Sequence, residues 1–201
     1  MTAALAEGNE ARLIDIAHAH VRKFGHARTT VVGVAADAGM THANVYRYFP
    51  SRIALLDEVV AASLRPLERR LRDAVDGADP AHDKLERMLM AVHRDYRAKL
   101  DGDLALFDLM LDMLVKNRAS ARKHRSRVQL DVQRVVEDGI ASGGFAMTER
   151  RRAMSLIFDA GHRFIHPVAM RLDKDSTPRA VETRFESVLA MVLRALRTGR
   201  V

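Results

Sequence analysis

The chain has 201 residues, a formal net charge of +7, 48% hydrophobic and 29% charged residues, and no cysteine. It is long enough to bury a sizeable core, and it excludes a disulfide framework and thiolate chemistry. No apolar run approaches the roughly 20 residues that cross a bilayer, and Met1 to Glu10 is too mixed for a signal peptide, so a cytoplasmic protein without a membrane segment is expected.

Five prolines and eleven glycines, against many Ala, Leu, Arg and Met, favour helix. The positive charge is uneven. Residues 1 to 60 hold six Lys/Arg and six Asp/Glu, whereas residues 61 to 201 hold 27 and 20. A nucleic-acid reading of the N-terminal part therefore rests on placed groups, not on bulk charge.

In chain order, residues 1 to 8 read as a disordered lead. Leu13, Ile14, Ala17, Val21 and Phe24 recur at helical spacing over residues 9 to 24, with Asn9 as a cap and Gly25 past the end. His18, His20 and His26 are spaced by two and six, which does not place them on one helical face, so they read as solvated or half-buried histidines and not as a metal site. Thr29 or Thr30 opens a second helix, whose Val34, Ala35 and Ala38 share a face. Gly39 fits a turn that needs positive φ, and Thr41 caps a third helix from about His42 to Tyr48. Ala35 is small enough for close approach, Val45 and Phe49 point inward, and Pro50-Ser51 breaks the chain and caps the next helix. His42, Asn44, Tyr46 and Arg47 then face outward. Asn pairs bidentately with adenine, Arg with guanine, and Tyr reaches a phosphate or a thymine methyl, so this helix suits the major groove of DNA.

This stretch resembles the DNA-binding domain of the TetR family of bacterial transcription regulators. The paired threonines, the alanine and glycine at the turn, the Tyr46-Arg47-Tyr48-Phe49 run and the Pro50-Ser51-Arg52 helix start carry the resemblance, which covers about residues 10 to 60. It implies an all-α fold. Residues 1–52 would form a three-helix DNA-binding domain with a helix-turn-helix, and residues 53–201 a helical ligand-binding and dimerisation domain. It implies a phosphate contact at Thr30 and further contacts at Tyr48 and Arg52, the last where the family usually carries lysine. Thr41 divides its role between cap and phosphate, and operator choice falls to His42, Ala43 and Asn44. The expected DNA-binding set is Thr30, Thr41, His42, Asn44, Tyr46, Arg47, Tyr48 and Arg52.

Ser51 to about Val75 reads as a long helix that Pro66 should kink or split. Helices follow over about 81–100 and 103–115, the latter apolar nearly all round. The basic run from Lys116 to Arg127 reads as a solvated loop and helix start, and a helix over 119–141 ends at Gly139 and Ser142-Gly143-Gly144. Thr148 and Glu149 open a helix to about Ile165, stopped by Pro167, and a last helix runs from about Pro178 to Arg197. By the resemblance, residues about 148–197 pair two subunits, so that two recognition helices meet successive major grooves about 34 Å apart.

The expected function is a homodimeric regulator on a pseudo-palindromic operator, a repressor released by a small apolar or aromatic effector. The candidate effector pocket is Met88, Val92, Tyr96, Phe107, Met110, Phe158, His162 and His166. A ligand-independent regulator is the alternative. A hydrolase or metalloprotein built on His93, His162 and His166 would lack a nucleophile elbow, a phosphate loop and a full metal set, so no catalytic residue, metal or cofactor is expected.

Overall fold

The computed structural model describes residues 3–200, with side chains from Gly8 onward. Ten helices and no strand occur among the described residues: α1 Ala3–Phe24, α2 Val31–Asp37, α3 His42–Tyr48, α4 Arg52–Asp76, α5 Ala81–Gly102, α6 Leu104–Val115, α7 Ala119–Ala141, α8 Arg150–Ile165, α9 Pro167–Leu172 and α10 Pro178–Thr198. The all-α expectation is met.

Several local expectations change. The disordered lead of residues 1 to 8 is helical from Ala3, while Met1 and Thr2 lie outside the described residues. Asn9 is therefore inside α1, and its amide serves elsewhere. Pro66 does not split α4, which continues to Asp76 with Pro66 exposed. Gly139 does not end α7. It makes room for Phe145, whose ring would lie 2.3 Å from a Cβ at that position and whose N–H donates to the Gly139 carbonyl at 2.9 Å. Pro167 does stop α8, but it also starts the unforeseen α9, as a proline can at the first helical position.

Two compact units result, Met1–Arg65 with Gly102–His124, and Pro66–Asp101 with Arg125–Val201. The expected division at residue 52 falls at the start of α4, and α6 packs against α1.

In the first unit Leu13, Ala17, Val21, Val34, Val45, Phe49, Leu55, Val59 and Phe107 are buried. Two aspartates lock its long-range packing. Asp103 caps α6 by accepting from the Leu106 N–H (3.1 Å), and its other oxygen lies 2.8 Å from His18 Nε2 and 3.6 Å from Arg22 Nε. Asp57 on α4 accepts from the N–H (3.2 Å) and hydroxyl (2.5 Å) of Ser120, which satisfies the open start of α7.

In the second unit α8 packs along α10 and α9. Ile157, Phe164, Val181, Phe185, Leu189 and Leu196 are buried, and the Phe164 and Phe185 rings stack at 4.9 Å. Buried Arg97 donates to Asp101 (2.8 Å) and to the carbonyls of Asp173 (3.2 Å), Lys174 (3.2 Å) and Ser176 (2.8 Å), pinning the connection into α10.

Candidate nucleic-acid interface

Seven-residue helices have few internal hydrogen bonds, so α2 and α3 depend on their ends. Thr30 caps α2, accepting from the Gly33 N–H at 3.1 Å, and Thr41 caps α3, accepting from the Asn44 N–H at 3.2 Å. Thr29, the alternative starter, is buried and donates its hydroxyl to the Gly25 carbonyl at 3.0 Å. Each capping oxygen accepts, so the O–H proton of Thr30 and of Thr41 stays available to a phosphate. Gly39 has φ +65 and turns the chain from α2 toward α3, the left-handed conformation its position asks for.

Val45 is fully buried and Phe49 is 4% exposed, so the opposite side of α3 faces out. His42, Tyr46 and Arg47 are exposed and Asn44 is half-buried. Tyr48 is half-buried, and its hydroxyl accepts from the Asn9 amide at 3.3 Å, leaving its own proton to give. Seven of the eight expected DNA-facing residues thus lie on or at the start of α2 and α3. The eighth, Arg52, opens α4 and turns its guanidinium toward backbone carbonyls of the loop between α1 and α2.

Sequence reasoning missed the group that seats α2. His20 Nε2 lies 2.7 Å from Asp37 Oδ2, and its ring stands edge-on to Phe24 at 5.4 Å. The ring edge meets Gly33, where an added Cβ would sit 3.1 Å from His20 Cε1. A side chain there would push the His20 ring back by a few tenths of an ångström, so the glycine eases the close approach of α2 to α1. A histidine and an aspartate 17 residues apart give no local signal, but a glycine inside a predicted helix does mark a close approach.

The expected effector residues divide between the units. Met88, Val92 and Tyr96 are buried on α5, Phe158 on α8 is half-buried, His166 just after α8 is half-buried, and His162 is exposed. Phe107 and Met110 are buried on α6, in the first unit. Met88 borders a groove of about 290 Å3 between α4 and α5, with Arg70, Asp73, Ala74, Arg87 and Ala91. Burial raises the Tyr96 phenol above its ordinary range, with Asp95 and Glu68 adding to it. The His162 and His166 rings stack at 4.5 Å, and His166 Nδ1 is buried with no hydrogen-bond partner. Burial, then His162, then Arg125 hold His166 below an ordinary histidine.

His93 is buried and lies 2.8 Å from the Phe164 carbonyl through Nδ1, which therefore carries the proton. Burial holds it, too, below an ordinary histidine. Among the described residues no group of three or more His, Cys, Asp or Glu is placed to hold a metal ion. No helix there is long and apolar enough to cross a membrane.

Residues 13–59 match the family described as Bacterial regulatory proteins, tetR family, and residues 81–189 match the Tetracyclin repressor-like, C-terminal domain. The chain belongs to the tetR family. It is a DNA-binding transcriptional regulator and not an enzyme. This tetR-family chain is 27% identical over 191 residues to the HTH-type transcriptional repressor KstR2 of Mycolicibacterium smegmatis, covering 90% of this chain and 87% of that one. In fold it is similar to the ketosteroid transcriptional regulator KstR2 of Mycobacterium tuberculosis (TM-score 0.59, 22% identity, 94% of each chain covered). It is also similar to FadR of Bacillus subtilis, solved in complex with stearoyl-CoA (TM-score 0.65, 17% identity, 91% of this chain and 97% of that one).

Proposed function

We propose that this regulator is a cytoplasmic homodimeric repressor that leaves its operator when a large apolar effector binds. The observation that carries the operator reading is α3 itself. It buries Val45 and presents Tyr46 and Arg47, and the threonine caps at the starts of α2 and α3 have protons free to meet phosphates. We assign Tyr46, Arg47, His42 and Asn44 to the bases and nearby backbone, and Thr30, Thr41 and Tyr48 to phosphates.

A groove of about 790 Å3 between α8 and α10 supports the dimer. It is lined mainly by Leu156, Ala160, Val188, Met191, Val192 and Ala195, and Met191 is 63% exposed in the single chain. An apolar stripe of this size on a helix pair suits a second copy of itself. The effector class rests on the apolar residues of α5 and α8, and on the stearoyl-CoA held by the FadR relative. Such a ligand acts only through tighter binding to the form that does not fit DNA.

The test is a titration of a duplex recovered by selection from a random-sequence pool, at two salt concentrations, with stearoyl-CoA as the release probe. Wild type binds with steep salt dependence as a dimer, stearoyl-CoA releases it, and Tyr46→Ala/Arg47→Ala loses binding while staying folded. Undiminished binding by the double variant sinks the assignment of α3. A monomer in sedimentation sinks the dimer, and a duplex indifferent to stearoyl-CoA removes the long-chain acyl thioesters from the effector class.

A further inference from the structure

One guanidinium ties the chain that leaves the recognition helix to the chain that enters the helix-turn-helix. Arg52 is half-buried and opens α4, three residues after Phe49 closes α3. Its Nε donates to the Thr29 carbonyl at 2.5 Å, and its Nη2 donates to the Ala27 carbonyl at 3.1 Å and to that of His26. The loop is built to offer these three oxygens. Gly25, at φ +77, ends α1, and its carbonyl collects the N–H of Arg28 (3.3 Å), the N–H of Thr29 (3.2 Å) and the Thr29 hydroxyl (3.0 Å). Donors are drawn to one side, and the carbonyls of residues 26, 27 and 29 are left to the other. A planar fork with several N–H groups satisfies them together, as a single ammonium does not. The next residue is Thr30, the cap of α2.

We infer that Arg52 is a positioning residue. It fixes Thr30 and the first turn of α2 where that turn meets the DNA backbone, and it does not itself hold a phosphate. This rests on the operator-binding reading of α2 and α3. N–H groups aimed at the carbonyls of the α1–α2 loop are not aimed at DNA, so the role differs from the phosphate contact expected of a basic residue at this place.

The experiment is a double-mutant cycle in the full chain on the selected duplex, with Thr30→Ala, Arg52→Ala, the double variant and Arg52→Lys, each titrated over a range of salt. If Arg52 acts through Thr30, Arg52→Ala and Arg52→Lys each weaken binding about tenfold. The double variant then binds no more weakly than Arg52→Ala alone. The slope of log affinity against log salt stays at the wild-type value, because Thr30 is uncharged and no cationic contact to a phosphate is lost. The inference is overturned if Arg52→Lys binds like wild type, if Arg52→Ala lowers the slope by about 0.9, or if the two single effects multiply. Should Arg52→Ala fail to fold, Arg52→Lys and Arg52→Lys/Thr30→Ala give the same cycle with the charge kept. Failure of the operator reading shows separately, as undiminished binding by Tyr46→Ala/Arg47→Ala.

Discussion

Helices α2 and α3 have seven residues each, and each begins on a threonine that accepts a backbone N–H from inside the first turn. Helices α8 and α10 have 16 and 21 residues, and neither Glu149 nor Thr177 makes a side-chain cap bond. The short pair is held by single polar contacts at its ends, by the Gly39 turn and by Val45. The long pair is held by a broad apolar contact that includes Ile157, Phe164, Phe185 and Leu189. A helix too short to bury much has to satisfy its exposed amides one by one, while a long amphipathic helix draws its stability from packing. The proposed DNA contacts thus fall in the part of the chain where individual hydrogen bonds matter most.

The largest effect should come from the packed pair. Phe185→Ala empties a site that is 1% exposed against the Phe164 and His93 rings, and should cost about 3–5 kcal/mol in urea unfolding. A loss below about 1 kcal/mol would mean that the long helices do not rest on this contact. Next comes the contrast of caps. Thr41→Ala should destabilise α3 by about 1 kcal/mol, read as faster amide exchange at Asn44 and Val45. Glu149→Ala, which removes no cap bond, should change α8 exchange by no more than a few tenths of a kcal/mol. Equal effects would erase the distinction.

The smallest effect is a pH dependence of the packed pair. His93 is held below an ordinary histidine by burial, so the unfolded chain takes up a proton at higher pH than the folded one. Its contribution to stability is complete above about pH 6.5 and is lost as pH falls below it toward the depressed folded value. His166 acts in the same direction. Melting temperature should therefore fall between about pH 8 and about pH 5.5, and His93→Gln should flatten that fall. An unchanged slope in the variant would acquit His93.

Much of this was legible in the sequence where the signal is local. The caps at Thr30 and Thr41, the turn at Gly39 and the inward pair Val45 and Phe49 follow from side-chain chemistry within a few residues. Misreadings arose where one residue type serves two ends. Asn9 looked like a cap, but its amide reaches Tyr48, 39 residues away, and α1 starts earlier. Pro167 looked only like a stop, although its missing N–H and fixed φ also suit the first position of α9. Gly139 looked like a helix end, whereas the space it leaves belongs to Phe145. The packing of α6 against α1 was not legible, because it brings Asp103 to His18 and Arg22 across more than 80 residues.

Asp103 has one further consequence. One oxygen holds the first turn of α6 and the other holds His18 of α1. The two helices are therefore geared through a single carboxylate. If the start of α6 unwinds or rotates, the aspartate swings with it and slackens its grip on α1. If α1 slides, it drags on the first turn of α6. Motion on either side is transmitted through this contact, beside a groove of about 640 Å3 that Arg22, Asp103 and Leu104 line, and the tooth of that gear is one short side chain.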